Sequence, residues 1–237
     1  MRAAGARHPK FVEPTGAAAR GGRKFVETGS FTEKENAVIE AATAIAREAH
    51  RGQTRATPGE EKEPYVNHPL RVADFVLKNY GIYVKAGAAM ICAAILHDVL
   101  EDCPLGTKGK YAQRILINCG PATLGYVEML SKPEPGYFRN QRYKAVLLVS
   151  PPEVLLIKLA DRTDNLTNLV SVWGDNPKRV MAYLSDAVDL YEIAASRSLQ
   201  REAAPLEAAI LAAEAAYEEA NGVLDLQSDS PENKKAL

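Results

Sequence analysis

His68, His97, Asp98 and Asp161 stand at three separated points of the chain. Two imidazoles and two carboxylates make a mixed N/O donor set suited to a first-row divalent cation such as Mn²⁺, and four protein ligands leave positions open to water. An open position points to hydrolysis. A single His or Asp on a helix is more often a hydrogen-bonded core or surface residue, so the weight falls on the set. The chain has four histidines: His8 lies in a tail with little to bury, His50 closes the first helical segment, and the other two fall beside carboxylates or in an unusual context.

His97 and Asp98 end the apolar run 88–96, long enough for a core helix but short of the about 20 residues that cross a bilayer. An imidazole and a carboxylate at the end of a buried helix are costly unless something pairs with them, and a cation would. Glu101 and Asp102 follow at i+3 and i+4 from Asp98, over the same face. Two further carboxylates beside a metal fit a general base and a water-positioning group.

The segment 154–166 has the same form, an apolar helix that turns polar abruptly at Asp161, Arg162, Asp164 and Asn165. Asp161 and Asn165 share a face, which lets Asn165 reach a water or a substrate oxygen. A capped helix end followed by solvated charges would account for Arg162 and Asp164, but not for an Asp set directly after Leu159-Ala160.

Three blocks carry a resemblance: Tyr65-Val66-Asn67-His68-Pro69-Leu70-Arg71-Val72-Ala73, then Leu96-His97-Asp98-Val99-Leu100-Glu101-Asp102, then Lys158-Leu159-Ala160-Asp161-Arg162 with Asn165. In this order they resemble the signature blocks of the RelA/SpoT-type hydrolase within the HD phosphohydrolase superfamily. Ala49-His50-Arg51-Gly52-Gln53-Thr54-Arg55 and Val127-Glu128-Met129-Leu130-Ser131-Lys132 agree, so the likeness runs from about residue 31 to about residue 199.

The resemblance implies an all-α HD-domain helical bundle with one Mn²⁺, held by His68, His97, Asp98 and Asp161. It implies removal of the 3′-pyrophosphate from guanosine tetraphosphate and pentaphosphate, with Glu101 and Asp102 activating and orienting water and Asn165 near the metal. Arg55 matches an arginine that packs on the nucleobase, and Tyr183 resembles a tyrosine lining the nucleotide pocket. Lys158 and Arg162 are candidates for phosphate contacts or, equally, for helix-surface charge. Where the relatives have a short basic link between the arginine and the Pro-Tyr pair, residues 56–63 are longer and acidic, with Ala56 at a common lysine position. That departure opens the adenosine analogues as substrates.

Around the matched region, the first 30 residues hold six basic and two acidic side chains and little to bury, which predicts a disordered tail. The tail lacks an apolar signal region, and early glycines with no amphipathic pattern argue against an organellar transit peptide. Helices are expected over 32–50, 66–79, 86–101, 108–118, 121–131, 138–149, 152–170, 177–198 and 202–221, with no run of period two long enough for a strand. The domain would then be 31–199, followed by a C-terminal helix over 200–222 and a flexible tail over 223–237. Leu206, Ile210, Ala213 and Tyr217 form a stripe on that helix, fit to pack on the domain or on a second subunit of a homo-oligomer.

A formal net charge of −1, from 29 basic and 30 acidic residues, recommends neither nucleic acid nor an anionic membrane as partner. Cys92, Cys103 and Cys119 lack metal or redox spacing and fit a reducing, cytoplasmic setting. No Gly-rich Walker-type loop is present, which disfavours ATP-driven chemistry. The 38 residues after Leu199 are too few for the synthetase and regulatory modules of the long bifunctional relatives, so a stand-alone small alarmone hydrolase is expected. Two other readings stand beside it: a different HD nucleotidase or phosphodiesterase, and an alarmone-binding or toxin-neutralising partner.

Overall fold

The computed structural model describes residues 31–57, 62–81, 83, 88–104, 106–132 and 139–221. The tails expected over 1–30 and 223–237, and the acidic link at 58–61, lie outside the described residues. The fold is all-α: α1 (Glu33–Ala49), α2 (Asn67–Asn79), α3 (Ala89–Leu96), α4 (Val99–Asp102), α5 (Lys108–Leu130), α6 (Arg139–Val149), α7 (Pro152–Thr167), α8 (Leu169–Trp173), α9 (Pro177–Ser196) and α10 (Gln200–Asn221).

The hydrophobic α3 is the centre. Every residue from Met90 to Leu96 is buried, and α1, α2, α5 and α7 pack around it. A helix apolar on all sides can exist only where neighbours cover all of it. On α7, residues 154–162 are buried, and the stripe Leu206, Ile210, Ala213 and Tyr217 of α10 is buried on the side that meets α7 and α9. Tyr80 and Tyr83 tie the end of α2 to α10, donating to the Glu202 carbonyl at 2.9 Å and to its carboxylate at 3.1 Å.

Local chemistry sets the helix ends. Thr32 opens α1 with a capping box: its hydroxyl accepts from the Glu35 amide at 3.3 Å, and the Glu35 carboxylate accepts from the Thr32 amide at 2.8 Å. Within α5, Gly120 adopts φ +86° ahead of Pro121, so the two helices expected from the sequence meet end to end across a kink.

Two expectations are corrected. The single helix over 86–101 is interrupted at His97 and Asp98, between α3 and α4. The His97 ring nitrogen Nδ1 bonds the Ala94 carbonyl at 2.8 Å, taking the acceptor that a continuing helix would offer to the Asp98 amide. A two-stranded antiparallel ribbon is also present, β1 (Thr54–Ala56) paired with β2 (Lys62–Pro64), placing Arg55 opposite Glu63. Three residues per strand are too few to show an alternating pattern, and the ribbon is held against the bundle by side chains rather than by a buried face.

Candidate active site

Asp161 comes from the middle of α7, His68 from the first turn of α2, and His97 and Asp98 from the break after α3. Their polar ends converge. The ligand atoms of His68, His97 and Asp98 lie within 4.8 Å of one another. Asp161 joins them through Oδ1, 3.1 Å from His68 Nε2 and 3.7 Å from His97 Nε2. Asp98 Oδ2 is 3.0 Å from His97 Nε2 and 3.7 Å from His68 Nε2. His68, His97 and Asp161 are each at most 3% exposed, so this is an interior cluster rather than a surface coincidence.

These residues fit a divalent cation. With Nδ1 of His97 committed to the Ala94 carbonyl, its Nε2 is buried without a hydrogen-bond partner and faces the carboxylates. His68 is oriented in the same sense by Asp164, whose Oδ2 lies 2.7 Å from Nδ1. Fixing the distant ring nitrogen leaves the near one as a lone pair, which is how ligating imidazoles are held.

The electrostatics agree. Burial by itself favours a neutral His97, but Asp98 and Asp161 outweigh it and push the imidazole up to about 10. Burial likewise opposes ionisation of Asp98, yet His97 and His68 hold it below the usual carboxylate range. Asp161 is driven down against its burial by Lys158 and the two imidazoles. A place this favourable for positive charge holds a proton until a cation displaces it.

The two acids after Asp98 diverge. Asp102 stays at the exposed rim of the cluster, where the Tyr65 hydroxyl is shared between Asp98 Oδ2 at 2.8 Å and Asp102 Oδ2 at 3.1 Å. Partial burial and the Asp98 charge raise Asp102 above its ordinary value. Glu101 turns to the far end of α5, accepting from the Lys132 amide at 3.1 Å with the Lys132 ammonium 3.7 Å away.

A cavity of about 340 Å³ opens beside the cluster, lined by Arg55, Tyr65, Asn165, Trp173, Arg179 and Tyr183 among others. That is the size range of small-molecule pockets, roughly 300–1,000 Å³. Arg55 Nη2 donates to Asn165 Oδ1 at 2.7 Å, and Asn165 Nδ2 donates to Asp161 Oδ1 at 2.7 Å. The guanidinium of Arg179 stacks over Trp173 at 3.5 Å from the ring centroid. Arg55, Asn165 and Tyr183 therefore share one cavity.

Lys158 and Arg162 are not helix-surface charges. Both are buried, and both line a smaller cavity of about 40 Å³ together with Lys132 and Tyr143. Lys158 Nζ lies 2.5 Å from Asp161 Oδ2, and the Arg162 guanidinium lies 5.0 Å over the Tyr183 ring. Asp164, which a solvated helix end would also have explained, is instead engaged: its carboxylate bonds His68 and Arg71 with 14% of the side chain exposed. The roles of Tyr65, Arg71 and Asp164 are not singled out in the sequence, because each makes a contact with a residue tens of positions away. His50, read as the spare histidine at a helix end, is buried and stacked on Tyr65 at 4.8 Å, with Nδ1 2.8 Å from Gln53 Oε1.

The chain belongs to the HD domain family, whose profile matches residues 42–199. It is similar to the guanosine-3′,5′-bis(diphosphate) 3′-pyrophosphohydrolase of Vibrio cholerae, 31% identical over 66% of this chain and 21% of that protein. It is 35% identical to the bifunctional (p)ppGpp synthase/hydrolase SpoT of Escherichia coli, over 59% of this chain and 19% of that one. The chain thus spans about a fifth of the length of these bacterial relatives. Against the guanosine-3′,5′-bis(diphosphate) 3′-pyrophosphohydrolase MESH1 of Xenopus tropicalis the identity is 32%, over 65% of this chain and 82% of that protein. A solved structure of a metazoan ortholog of SpoT, described as hydrolysing ppGpp, has the same fold: the TM-score is 0.58 and the identity 24%, over 79% of this chain and 97% of that one.

Proposed function

We propose that the protein hydrolyses the 3′-pyrophosphate of alarmone nucleotides, converting ppGpp and pppGpp to GDP and GTP with release of pyrophosphate. The observation that carries the reading is the convergence of His68, His97, Asp98 and Asp161 beside the cavity of Arg55, Asn165 and Tyr183. It is supported by the names of the relatives, including one whose length the chain largely covers.

Two imidazoles with two carboxylates suit a first-row divalent cation such as Mn²⁺. When bound, such a cation supplies Lewis acidity and makes water nucleophilic near neutral pH. The residues do the rest. Asp102, raised by burial and by Asp98, takes the proton from the attacking water, and Tyr65 holds that carboxylate in place. Glu101, anchored on Lys132, assists in placing the water. Arg55 and Tyr183 hold the nucleoside end, and Asn165, fixed between Arg55 and Asp161, meets the ribose or phosphate oxygen nearest the metal. Lys158 and Arg162 place positive charge behind the reacting phosphoryl group, where charge develops as pyrophosphate departs.

Ala56 lines the nucleoside cavity and contributes no cation there, which keeps adenosine nucleotides bearing the same 3′-pyrophosphate within the substrate class. Among the described residues no helix is long and apolar enough to cross a membrane. The three free cysteines accord with a reducing, cytoplasmic setting. The test is pyrophosphate release from guanosine and adenosine 3′-pyrophosphates with and without Mn²⁺. Turnover only with metal supports the assignment, and the ratio of the two substrates gives the base preference. No turnover on either overturns it.

A further inference from the structure

We propose that Asp164 is a positioning residue of the metal centre, a carboxylate that orients His68 and is itself clamped by Arg71 and Glu63 to the ribbon bordering the nucleoside cavity.

Asp164 lies on α7 almost one turn after Asp161, so one helix presents both a proposed ligand and the group that orients another. Its Oδ2 meets His68 Nδ1 at 2.7 Å. Arg71 grips the same carboxylate with two donors, Nε to Oδ1 at 2.8 Å and Nη2 to Oδ2 at 3.1 Å. The remaining face of Arg71 is held by Glu63, with Nη1 2.7 Å and 2.9 Å from its two oxygens. Asn67 Nδ2 donates to Glu63 at 3.1 Å. From the cavity side, Arg55 Nη1 comes within 3.7 Å of Asp164 Oδ2.

The two imidazoles are therefore fixed by different means. His97 is oriented by a backbone carbonyl of its own helix, at 2.8 Å. That anchor persists as long as the helix does. His68 depends on a charged chain joining α2, α7 and β2, and removal of its central carboxylate leaves Nδ1 without its acceptor and Arg71 with one anion instead of two. A ligating histidine that loses such a partner binds its metal more weakly, roughly 10- to 100-fold.

The proposal rests on the metal reading and is tested with the full chain by equilibrium titration of Mn²⁺, reading free Mn²⁺ by electron paramagnetic resonance. Asp164→Ala should weaken binding roughly 10- to 100-fold. Asp164→Asn, which keeps an acceptor oxygen without the charge, should fall between that variant and wild type. Asp74→Asn, at an exposed carboxylate on α2 paired with Lys78, should bind as wild type does. Circular dichroism of each metal-free variant reports folding, and if Asp164→Ala does not fold, Asp164→Asn decides. Saturating Mn²⁺ should restore kcat to Asp164→Asn, because Asp102 and Glu101 are untouched. Wild-type affinity in the folded Asp164 variants overturns the proposal alone. A wild-type chain that takes up no Mn²⁺ overturns the metal reading together with it.

Discussion

Arg55 and Asn165, separated by 110 positions in the chain, meet at 2.7 Å. Asn165 in turn donates to Asp161, so an arginine on the ribbon is one side chain away from a proposed metal ligand. Arg55→Ala should raise KM for the nucleotide at least tenfold, with a smaller loss in kcat, because the nucleoside contact disappears while Asn165 keeps its bond to Asp161. Steady-state kinetics at saturating Mn²⁺ checks the split. A fall in kcat at unchanged KM would place Arg55 in the chemical step instead.

Asp161 carries two duties, and its replacement must separate them. Both Asp161→Ala and Asp161→Asn remove the counter-charge of the buried Lys158 ammonium, and leaving a buried charge unpaired costs about 3–5 kcal/mol. Asp161→Asn keeps the shape and an acceptor oxygen. Both variants should lose metal-dependent turnover, and Asp161→Ala should also melt below Asp161→Asn. Thermal melts of the metal-free proteins alongside the pyrophosphate assay show whether the two losses separate.

Metal uptake should release protons. His97 is pushed up to about 10 in the metal-free protein, so it carries a proton at neutral pH that a cation must displace. Titrating Mn²⁺ into weakly buffered protein near pH 7 should acidify the solution, and affinity should strengthen as pH rises. The same shift fixes the stability of the metal-free fold. A folded pKa above the ordinary value of about 6.5 contributes stability that is complete below that pH and is lost as pH rises toward 10. The melting temperature without metal should fall across that window, and a flat profile would contradict it.

Tyr65→Phe deletes the hydroxyl shared by Asp98 and Asp102. That hydrogen bond holds Asp102 lower than burial and the Asp98 charge would leave it. Its loss should raise Asp102 further and move the acid limb of the kcat profile to higher pH. An unmoved limb would take Asp102 out of the proton-accepting role.

Glu101→Gln should keep Mn²⁺ affinity within about twofold and lose up to about 10²-fold in kcat, the scale on which misplacing a reacting group costs rate. Its bond to the Lys132 amide lies outside the ligand cluster, which separates this residue from the four proposed ligands. Loss of metal in the variant would make Glu101 a ligand.

The helices were legible because apolar periodicity and end signals are local: the capping box at Thr32 and Glu35, and the Gly120-Pro121 kink, are written in adjacent residues. The cluster of His68, His97, Asp98 and Asp161 was legible for a related reason, since polar residues at the ends of apolar runs are anomalous wherever they occur. The break at His97 was not, because a ring nitrogen competing for the Ala94 carbonyl leaves no Gly or Pro to mark it. The role of Asp164 was not legible, because its partners His68 and Arg71 stand more than 90 positions away. The ribbon escaped notice because three residues per strand cannot display a period, and its hold on the bundle runs through Glu63 and Arg71.

The buried Lys158 has one further consequence, for denticity. It occupies Oδ2 of Asp161 at 2.5 Å, while Oδ1 faces His68 and accepts from Asn165. Oδ1 of this carboxylate is thus turned toward the imidazoles and Oδ2 toward the lysine, so Asp161 would meet a cation there through one oxygen. A carboxylate free to chelate with both oxygens would crowd out solvent, and solvent is the reagent a hydrolase must admit. On the metal reading proposed above, the Lys158 ammonium on Oδ2 would thus help to keep places around the cation open to water.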